Sequence, residues 1–432
     1  MDKIFSKTYK WLDQTVEKLG QNKDLQKLFR NAFLSTLEGT TKLKEDGTTY
    51  VFTGDIPAMW LRDSSAQVIH YFQLLEVDPK IQSMIKGLIE RQFFYINIDP
   101  YANAFNETPN GAGHQDDITE LTPWIWERKF ELDSLAYPVW LLDRYFRATK
   151  DISVFTPTVL KGVRRIIETF DVEMDHFNGS PYTFTRPNVP ADETVANNGR
   201  GKVIPKTGLI WSAFRPSDDA CVHNYFIPGN AFSYVALNKM LDLKDQLELS
   251  KDNLVEKVTD MKDTVYEAIY KHGVYDHPKF GKVFAYEVDG LGNYLFMDDA
   301  NIPSLLALPY IGFVDIDDEI YQNTRRLVLS KENPFYVQGK YAKGIGSPHT
   351  PKGYVWHIGI VAAALTTNDI HEKAEALKML LNTHADTFLM HEGFNPDNPS
   401  EFTREWFAWA NSLFAYFIIE NFDQLEAILK LI

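Results

Sequence analysis

The sequence predicts an all-α fold in which helical hairpins close into a ring, with long loops gathered at one end. Apolar residues recur at helical spacing along most of the chain, while β-like runs are confined to three short stretches. Short and long connections also alternate, as expected for such hairpins. The 432 residues are 44% apolar and show no linker-like break, so we predict a single domain over residues 1–432.

The helical pattern is clearest where Leu135, Val139 and Leu142 share one face. Similar spacing predicts helices, in chain order, over 23–38, 62–76, 79–96, 131–146, 152–172, 228–243, 252–271, 300–309, 316–330, 353–366, 370–389, 402–417 and 418–430. The β-like runs cover 42–53, 203–211 and 282–288.

Four long connections are rich in glycine, proline and asparagine: 97–123, 176–226, 272–299 and 331–352. Loops of this length are uncommon in compact domains and are usually either functional or disordered. Disorder is disfavoured here because the loops contain large aromatic residues, among them Tyr182, Phe184 and Trp211. The loops are therefore predicted to be functional.

The composition excludes several classes of partner. A net charge of −15 and a pI near 5.2 argue against nucleic acid, whereas a neutral ligand fits this balance. Aromatic residues make up 14% of the chain and suit flat apolar faces such as those of sugar rings. No apolar stretch is long enough for a membrane span, and the N-terminal residues lack the apolar region of a signal peptide. With only Cys221, which cannot form an internal disulfide, we expect a cytoplasmic protein.

Two adjacent carboxylates occur in FRPSDDACVHNYFIPGN, at Asp218 and Asp219. They are either a solvated helix start, with one capping the helix, or a site in which one residue is a proton donor held in a pocket. If both begin a helix, their side chains point about 100° apart and only one faces a pocket.

A second candidate segment is HEGFNPDNPSEFTREWFAWANS, residues 391–412. Glu392 is predicted to lie on a loop because Gly393 and Pro396 follow it, and no obvious cation is nearby in sequence. It is the better candidate for a second working carboxylate. Arg404 is predicted to open a helix and to pair with a neighbouring carboxylate there.

Further polar and aromatic residues are candidate ligands. In WLRDSS, Trp60 could stack under a ring while Arg62 and Asp63 bind neighbouring hydroxyls; alternatively the two charges pair with each other, or Asp63 caps a helix. His114 and Gln115 lie in the flexible GAGHQDD loop, although a lone loop histidine is more often structural.

Two helix starts supply the remaining candidates. Asn301, in NIP, is predicted to cap a helix whose first turn contains proline. His349, Trp356 and His357 precede a helix in GSPHTPKGYVWHIG, and at least one of them is expected to serve only in packing.

Several catalytic signatures do not occur in the sequence. It contains no H-E-x-x-H pair, no cysteine cluster and no acidic calcium loop, so no metal site is predicted. It also lacks a G-x-S-x-G elbow and a phosphate-binding loop, which removes support for serine-hydrolase and nucleotide chemistry. We predict that the protein needs no cofactor.

Six motifs occur in order: TGDIPAMWLRDSS, GAGHQDD, FRPSDDA, MDDANIPSLLALP, KGYVWHIG and REWFAWANS. Together they resemble glycoside hydrolase family 125, bacterial exo-α-1,6-mannosidases, over roughly residues 25–425. The resemblance implies an (α/α)6 barrel. It also implies metal-independent, inverting hydrolysis that releases terminal α-1,6-linked mannose from oligosaccharides or N-glycan fragments.

The resemblance also implies roles for particular residues. Asp218 matches the family's general acid and Glu392 its general base. Inversion then requires about 6.5–9.5 Å between the two carboxyl groups, enough to hold a water molecule. Asp218 must stay protonated, through burial or a like-charge neighbour such as Asp219. The expected substrate-binding residues are Trp60, Arg62, Asp63, His114, Gln115, Asp219, Asn301, His349, Trp356 and Arg404, with loops 97–123 and 331–352 as the wall of the cleft.

Three alternatives remain open from the sequence. The nearest is another inverting glycosidase on the same scaffold that acts on glucosides. A non-catalytic glycan-binding protein would have lost one of the two carboxylates, and both are present. A metal-dependent mannosidase would lose activity on chelation.

Overall fold

The computed structural model describes residues 4–432. Its α-helices are α1 (Ser6–Lys18), α2 (Lys23–Leu34), α3 (Leu61–Ala66), α4 (Pro79–Ile98), α5 (Leu132–Thr149), α6 (Pro157–Glu173), α7 (His176–Gly179), α8 (Ala196–Gly199), α9 (Ile227–Asp242), α10 (Leu254–His272), α11 (Glu319–Val328), α12 (His357–Leu365), α13 (Ile370–Asn382), α14 (Ala408–Glu420) and α15 (Leu425–Leu429). No helix in this part of the chain is both long enough and apolar enough to cross a bilayer.

Short strands connect the helices. They are β1 (Thr41–Leu43), β2 (Thr49–Val51), β3 (Met59–Trp60), β4 (Ala104–Phe105), β5 (Ile125–Glu127), β6 (Tyr225–Phe226), β7 (Val274–His277), β8 (Gly281–Phe284), β9 (Glu287–Val288), β10 (Tyr294–Leu295), β11 (Tyr336–Gln338), β12 (Lys343–Ile345), β13 (Val355–Trp356), β14 (Gly393–Asn395) and β15 (Asn398–Phe402). They pair in antiparallel fashion within small sheets of two or three strands.

The chain forms two compact units. Unit 1 consists of the described part of Met1–Pro57 together with Asp63–Leu88 and Phe335–Ile432. Unit 2 consists of Ala58–Arg62 and Ile89–Pro334. The expectation of one domain over residues 1–432 stays a prediction.

Unit 1 is built around helix α14. Ten of its 13 residues are buried, including Trp409, Leu413 and Phe417, so it is apolar on all sides. Such a helix has to lie inside other elements. It packs against α2 and α12, and α13 covers α12 in turn. Helix α2 is amphipathic, and the Asn22 side chain caps its N-terminus by accepting the Leu25 N–H.

Unit 2 has the same construction around helix α9, in which 11 of 16 residues are buried. Helix α9 packs against α5 and α10. Helix α10 is amphipathic and buries Val258, Met261, Val265 and Ile269 along one face.

In both units, a buried helix begins directly after a short strand. Strand β6 ends at Phe226 and α9 begins at the next residue. In the same way, β13 ends at Trp356 and α12 begins at the next residue. Strand β3 leads into α3 in the same way. Residues before these starts are held by the sheet on one side and by the rigid helix on the other, which suits them to carry a site.

The structure corrects several predictions. Residues 300–309 do not form a helix but a series of bends and turns, because the buried Asp298 carboxylate accepts the Leu305 and Leu306 N–H groups. Asn301 is therefore not a helix cap, and its own N–H donates to Asp299. Residues 203–211 contain no strand, and the helix predicted over 402–417 begins at Ala408.

Candidate active site

Asp218 lies in a tight turn before β6, in unit 2. Its amide donates to Arg215 O at 2.9 Å, and the Arg215 amide donates to Asp219 O at 2.8 Å. The backbone of Asp218 is left-handed, with φ of 67°. Few residues other than glycine adopt this conformation, although Asp and Asn do so more readily than most. Neither aspartate begins a helix, which corrects the helix-start interpretation.

The Asp218 carboxyl group is surrounded by hydrogen-bond donors. Its Oδ1 accepts from Asn103 Nδ2 at 3.2 Å and, over a longer 3.4 Å, from Trp60 Nε1 and Arg62 Nη2. Lys129 Nζ donates to the Asp218 carbonyl oxygen at 2.6 Å, and this hydrogen bond helps to hold the backbone of the turn in place. The side chain keeps 21% of its surface exposed, so it is oriented but remains accessible.

Arg62 connects Asp218 to two buried carboxyl groups. Its Nη1 lies 2.5 Å from Glu131 Oε2 and 3.1 Å from Asp133 Oδ2. Burial raises the pKa of Asp133 to about 6, against the effect of Arg62. Burial also raises the pKa of Glu131, and a hydrogen bond with the Asp218 carboxyl adds to the rise. The partners of Arg62 in the structure are thus carboxyl groups, and its role as a ligand of sugar hydroxyls stays a prediction.

Asp219 has different surroundings from its neighbour. Its carboxylate is buried and accepts from the Ser217 hydroxyl at 2.9 Å. Burial raises the pKa of the nearby Asp299, and the Asp219 charge raises it further. Of the two adjacent carboxyl groups, only that of Asp218 has substantial exposure, and the turn, not helix geometry, separates the two.

Glu392 lies in unit 1, immediately before β14. It is 6% exposed, and its Oε2 accepts from the Thr403 hydroxyl at 3.0 Å. Arg404 Nη1, from a residue 12 positions further along the chain, lies 3.7 Å from Glu392 Oε1. Burial raises the pKa of Glu392, while Arg404 and His349 act in the opposite direction.

Arg404 is itself held in place by carboxylates. It forms an ion pair with Asp55, with Nε donating to Asp55 Oδ1 at 2.8 Å. Asp63 also faces it and accepts from the Thr53 hydroxyl at 2.8 Å. The predicted pairing of Arg404 with a neighbouring carboxylate at a helix end is wrong, because its ion-pair partner is the distant Asp55 and Arg404 precedes α14 instead of opening it.

A buried histidine fixes the backbone next to Glu392. His357 Nδ1 lies 2.9 Å from the His391 N–H, and its Nε2 lies 3.1 Å from the Thr383 hydroxyl. That hydroxyl donates to Met379 O and so is placed to accept from Nε2, which leaves Nδ1 to accept from the His391 N–H, although the His391 carbonyl oxygen also lies 2.9 Å from Nδ1. Burial lowers the pKa of His357 to about 3, so the ring is neutral.

The other predicted residues differ in their accessibility. His114 is exposed, 3.6 Å from the Glu127 carboxylate, and Gln115 donates to Ile125 O within its own loop. His349 is exposed, as a ligand requires. Trp356 is only 1% exposed and donates to the Thr350 hydroxyl at 2.8 Å. Its assignment as a sugar ligand is therefore corrected: it is a packing residue.

Sequence reasoning missed several residues that contact the two candidate carboxyl groups or their partners: Asp55, Asn103, Lys129, Glu131, Asp133 and Thr403. Only Asp55 and Thr403 lay in segments that had been singled out. Glu131 and Asp133 precede or begin α5, where acidic residues are common for reasons of helix stability alone.

The two carboxyl groups differ in their surroundings, although each lies beside a guanidinium group. Asp218 is accessible, and its partner Arg62, at 3.4 Å, is shared with the buried Glu131 and Asp133. Glu392 is buried, and its partner Arg404, at 3.7 Å, is shared with Asp55. Carboxyl groups in different environments are typical of an acid and a base in general acid–base catalysis.

Comparisons with known proteins agree with this chemistry. Residues 22–419 match the family model for metal-independent alpha-mannosidase (GH125). The meiotically up-regulated gene 157 protein of Schizosaccharomyces pombe is 41% identical, and the alignment covers 98% of this chain and 87% of that protein.

Solved structures are similar as well. A Streptococcus pneumoniae protein from a family of metal-independent α-mannosidases, in a non-productive complex with α-1,6-mannobiose, is 40% identical with a TM-score of 0.95, over 97% of this chain and 99% of that one. A bacterial glucoamylase in complex with acarbose shares only the fold, at 12% identity and a TM-score of 0.55 over 93% of this chain and 57% of that one. The predicted all-α fold is confirmed, and the (α/α)6 barrel agrees with these matches.

The family model covers most of the chain, and two relatives are about 40% identical over nearly its whole length. The chain belongs to the metal-independent α-mannosidase family GH125 and is a glycoside hydrolase.

Proposed function

We propose that this enzyme is an exo-acting α-1,6-mannosidase that releases terminal mannose with inversion, using Asp218 as general acid and Glu392 as general base. The observation that supports it most is the contrast between the accessible Asp218 carboxyl, whose partner Arg62 is shared with the buried Glu131 and Asp133, and the buried Glu392 carboxyl beside Arg404. The linkage follows from the similar Streptococcus pneumoniae protein, whose complex contains α-1,6-mannobiose.

The proposed reaction has one chemical step. Asp218 gives its proton to the glycosidic oxygen as the bond from that oxygen to the anomeric carbon breaks. A water molecule attacks the same carbon from the opposite face, and Glu392 takes the proton that this water loses. The products are β-mannose and the shortened sugar, and Asp218 and Glu392 exchange protons with solvent before the next turnover.

The linkage is tested with α-1,6-, α-1,3- and α-1,2-mannobiose. We expect hydrolysis of the α-1,6 isomer at a rate well above the other two, since the expected cleft has to accept the flexible primary-hydroxyl linkage. Proton NMR during the first minutes should show β-mannose before mutarotation mixes the anomers. The rate should be unchanged by a chelator, as the family's metal independence implies.

Isomaltose is the matched control, because it has the same linkage with glucose in place of mannose. Faster cleavage of isomaltose would favour the glucoside-active alternative. First-formed α-mannose would overturn inversion, and binding of α-1,6-mannobiose without turnover would favour a glycan-binding protein.

The contact of His357 with the backbone beside Glu392 leads to a prediction about the turnover rate. Replacing it by glutamine should lower kcat by about tenfold or more, because the His391 N–H loses its acceptor and the adjacent Glu392 shifts. His357→Asn is the matched variant, since the asparagine Oδ1 occupies nearly the position of Nδ1 and can still accept. Steady-state kinetics and thermal melting of both variants separate the effects on rate and on folding.

Equal kcat losses in the two His357 variants, at equal melting temperatures, would contradict a role for the Nδ1 contact. A lower melting temperature with unchanged kcat would indicate that His357 serves only the core, where it stacks on Phe394.

We also propose a cytoplasmic location, in which the substrates are short imported oligosaccharides. The support is the free Cys221, which has no second cysteine in the sequence to pair with. Cell fractionation with an antibody to the protein tests it. A bacterial source stays a prediction, because the relatives include a yeast protein and a streptococcal one.

A further inference from the structure

Thr403 lies against the Glu392 carboxylate. Its hydroxyl oxygen accepts the Gly393 N–H at 3.0 Å and lies 3.0 Å from Glu392 Oε2. A hydroxyl group has one proton to donate, and the other acceptor within reach, Gly393 O, is further away at 3.3 Å. That carbonyl oxygen already accepts the Thr403 N–H at 2.8 Å. The hydroxyl proton therefore goes to the nearer carboxylate, which is also the stronger acceptor when it is ionised.

The other oxygen of Glu392 is placed differently. Arg404 Nη1 lies 3.7 Å from Oε1, beyond hydrogen-bond distance, and the Arg404 Nε–H is bound by Asp55. Among the described residues, the only hydrogen bond to this carboxylate is the one from Thr403 to Oε2. The Glu392 side chain keeps 9% of its surface exposed. Oε1 is thus the oxygen that can still accept a proton from a water molecule.

The backbone at Arg404 explains how two consecutive side chains reach one carboxylate. Strand β15 ends at Phe402, and successive side chains of an extended chain point to opposite faces. Arg404 has a left-handed φ of 51°, a conformation that few residues other than glycine adopt. The alternation is broken there, and both Thr403 and Arg404 face Glu392. Backbone strain of this kind is concentrated at functional sites.

Resting on the proposed role of Glu392, we propose that Thr403 is a positioning residue for the general base: its hydroxyl binds Oε2 and leaves Oε1 facing the water that attacks the anomeric carbon. Glu392 then takes the proton of this water on Oε1. Once Oε1 is protonated, Oε2 is the carbonyl oxygen of the acid and still accepts from Thr403, so the carboxyl group keeps its orientation through the step. Thr403 transfers no proton itself.

Two variants separate the hydroxyl group from the rest of the side chain. Thr403→Val removes the hydroxyl and keeps nearly the same shape, whereas Thr403→Ser keeps the hydroxyl and loses the methyl group. On α-1,6-mannobiose, kcat should fall by about tenfold or more in Thr403→Val, because the released carboxylate turns away from the water. KM should change little, and Thr403→Ser should keep most of the wild-type kcat. Thermal melting checks that each variant folds, and Thr403→Ala serves if Thr403→Val does not.

The pH profile provides a readout that a merely structural role would not move. A hydrogen bond to the ionised form lowers the pKa of a carboxyl group, so its loss raises that pKa. Because Glu392 has to be ionised, the acidic limb of kcat/KM should move to higher pH by about half a unit or more in Thr403→Val and stay in place in Thr403→Ser.

The surrounding charges are the same in all of these variants. The titratable or charged groups of unit 1 that face Glu392, its partner Arg404 or the adjacent backbone are Arg404, Asp55, Asp63, His349, His357, His391 and Glu405. Since every variant retains them, a difference in the acidic limb between Thr403→Val and Thr403→Ser belongs to the hydroxyl group.

A double variant distinguishes the proposed role from a loss of local packing. In Glu392→Gln the base is missing, and added azide, which needs no base, should support turnover of 2,4-dinitrophenyl α-mannoside, whose leaving group needs no proton. Adding Thr403→Val to that enzyme should leave the azide-supported rate unchanged, because no carboxylate remains to be oriented. A drop by the factor seen for Thr403→Val alone would mean that Thr403 serves only the fold, and it would overturn the proposal.

Other results would overturn it as well. These are a wild-type kcat with an unmoved acidic limb in Thr403→Val, or a loss in Thr403→Ser as large as that in Thr403→Val. The choice of oxygen is tested by a crystal structure with a non-hydrolysable α-1,6-thiomannobioside. The water beside the anomeric carbon should contact Oε1, and a water bound to Oε2 would contradict the assignment.

Failure of this proposal and failure of the proposed function give different results. If Glu392→Gln retains full activity on α-1,6-mannobiose, Glu392 is not the base and the proposed function fails. If Glu392→Gln is inactive on that substrate while Thr403→Val keeps the wild-type kcat and pH profile, only the role of Thr403 is lost.

Discussion

Asp218→Asn lowers kcat on α-1,6-mannobiose by about 10²–10⁴-fold, the range that a general acid contributes. Asparagine accepts the left-handed backbone of residue 218 as readily as aspartate does, so the turn persists. It has no proton to donate to the leaving oxygen. The loss should be much smaller on 2,4-dinitrophenyl α-mannoside, because that leaving group departs without protonation. Steady-state kinetics on the two substrates measure the difference.

Asp219→Asn is the matched control for this variant, since the same chemical change is made one residue away. Asp219 is buried and bound to Ser217, so the variant should keep most of its turnover. An active Asp218→Asn together with an inactive Asp219→Asn would move the acid to residue 219. Equal losses on both substrates in Asp218→Asn would instead indicate a defect in binding or folding.

Glu392→Gln should lower kcat by a similar factor of about 10²–10⁴ on every substrate, because each one needs an activated water. Added azide requires no base. It should restore turnover of 2,4-dinitrophenyl α-mannoside and give β-mannosyl azide as the inverted product, which NMR identifies. Glu401→Gln is the control: Glu401 is an exposed glutamate of the same unit, bonded only to Asn395 and Asn398 among the described residues, and should have the wild-type rate.

The pH dependence provides a separate check on Glu392. Burial raises the pKa of this carboxyl, and the reaction requires it to be ionised. Activity must therefore fall as the pH drops through the raised value, so the acidic limb of kcat/KM lies above the ordinary glutamate range near 4.3. An acidic limb at or below that range, or azide rescue without inversion, would contradict the assignment of Glu392 as the base.

Most helices could be predicted because long apolar stripes mark them, as in α4, α5 and α9. Helix α1 could not, since its buried face includes Thr8 and Thr15 beside Leu12 and gives a weak apolar signal. Strands of two or three residues are too short for an alternating pattern to be recognised. Residues 300–309 resemble a helix in composition, but the distant hydrogen bonds of Asp298 decide their conformation.

Residues of the candidate site could be predicted where they lie in sequence motifs. They could not be predicted where only contacts between distant parts of the chain bring them into the site. Asp218 and Glu392 came from a family resemblance, because sequence alone could not choose between Asp218 and its neighbour. That choice depends on the turn joining Arg215 and Asp219, which is visible only in three dimensions. Glu131 was missed for a related reason: a glutamate beside a helix start is unremarkable until Arg62 and Asn103 are seen to connect it with Asp218.

The left-handed backbone at residue 218 also bears on how such an enzyme could change its stereochemical outcome. Retaining glycosidases bring their carboxyl groups to about 5–5.5 Å, and lengthening an aspartate to a glutamate is the simplest way to close such a gap. Glutamate tolerates φ of 67° less well than aspartate or asparagine, so the turn itself resists that substitution. Evolution of a retaining descendant would therefore have to start from the other carboxylate or rebuild this turn.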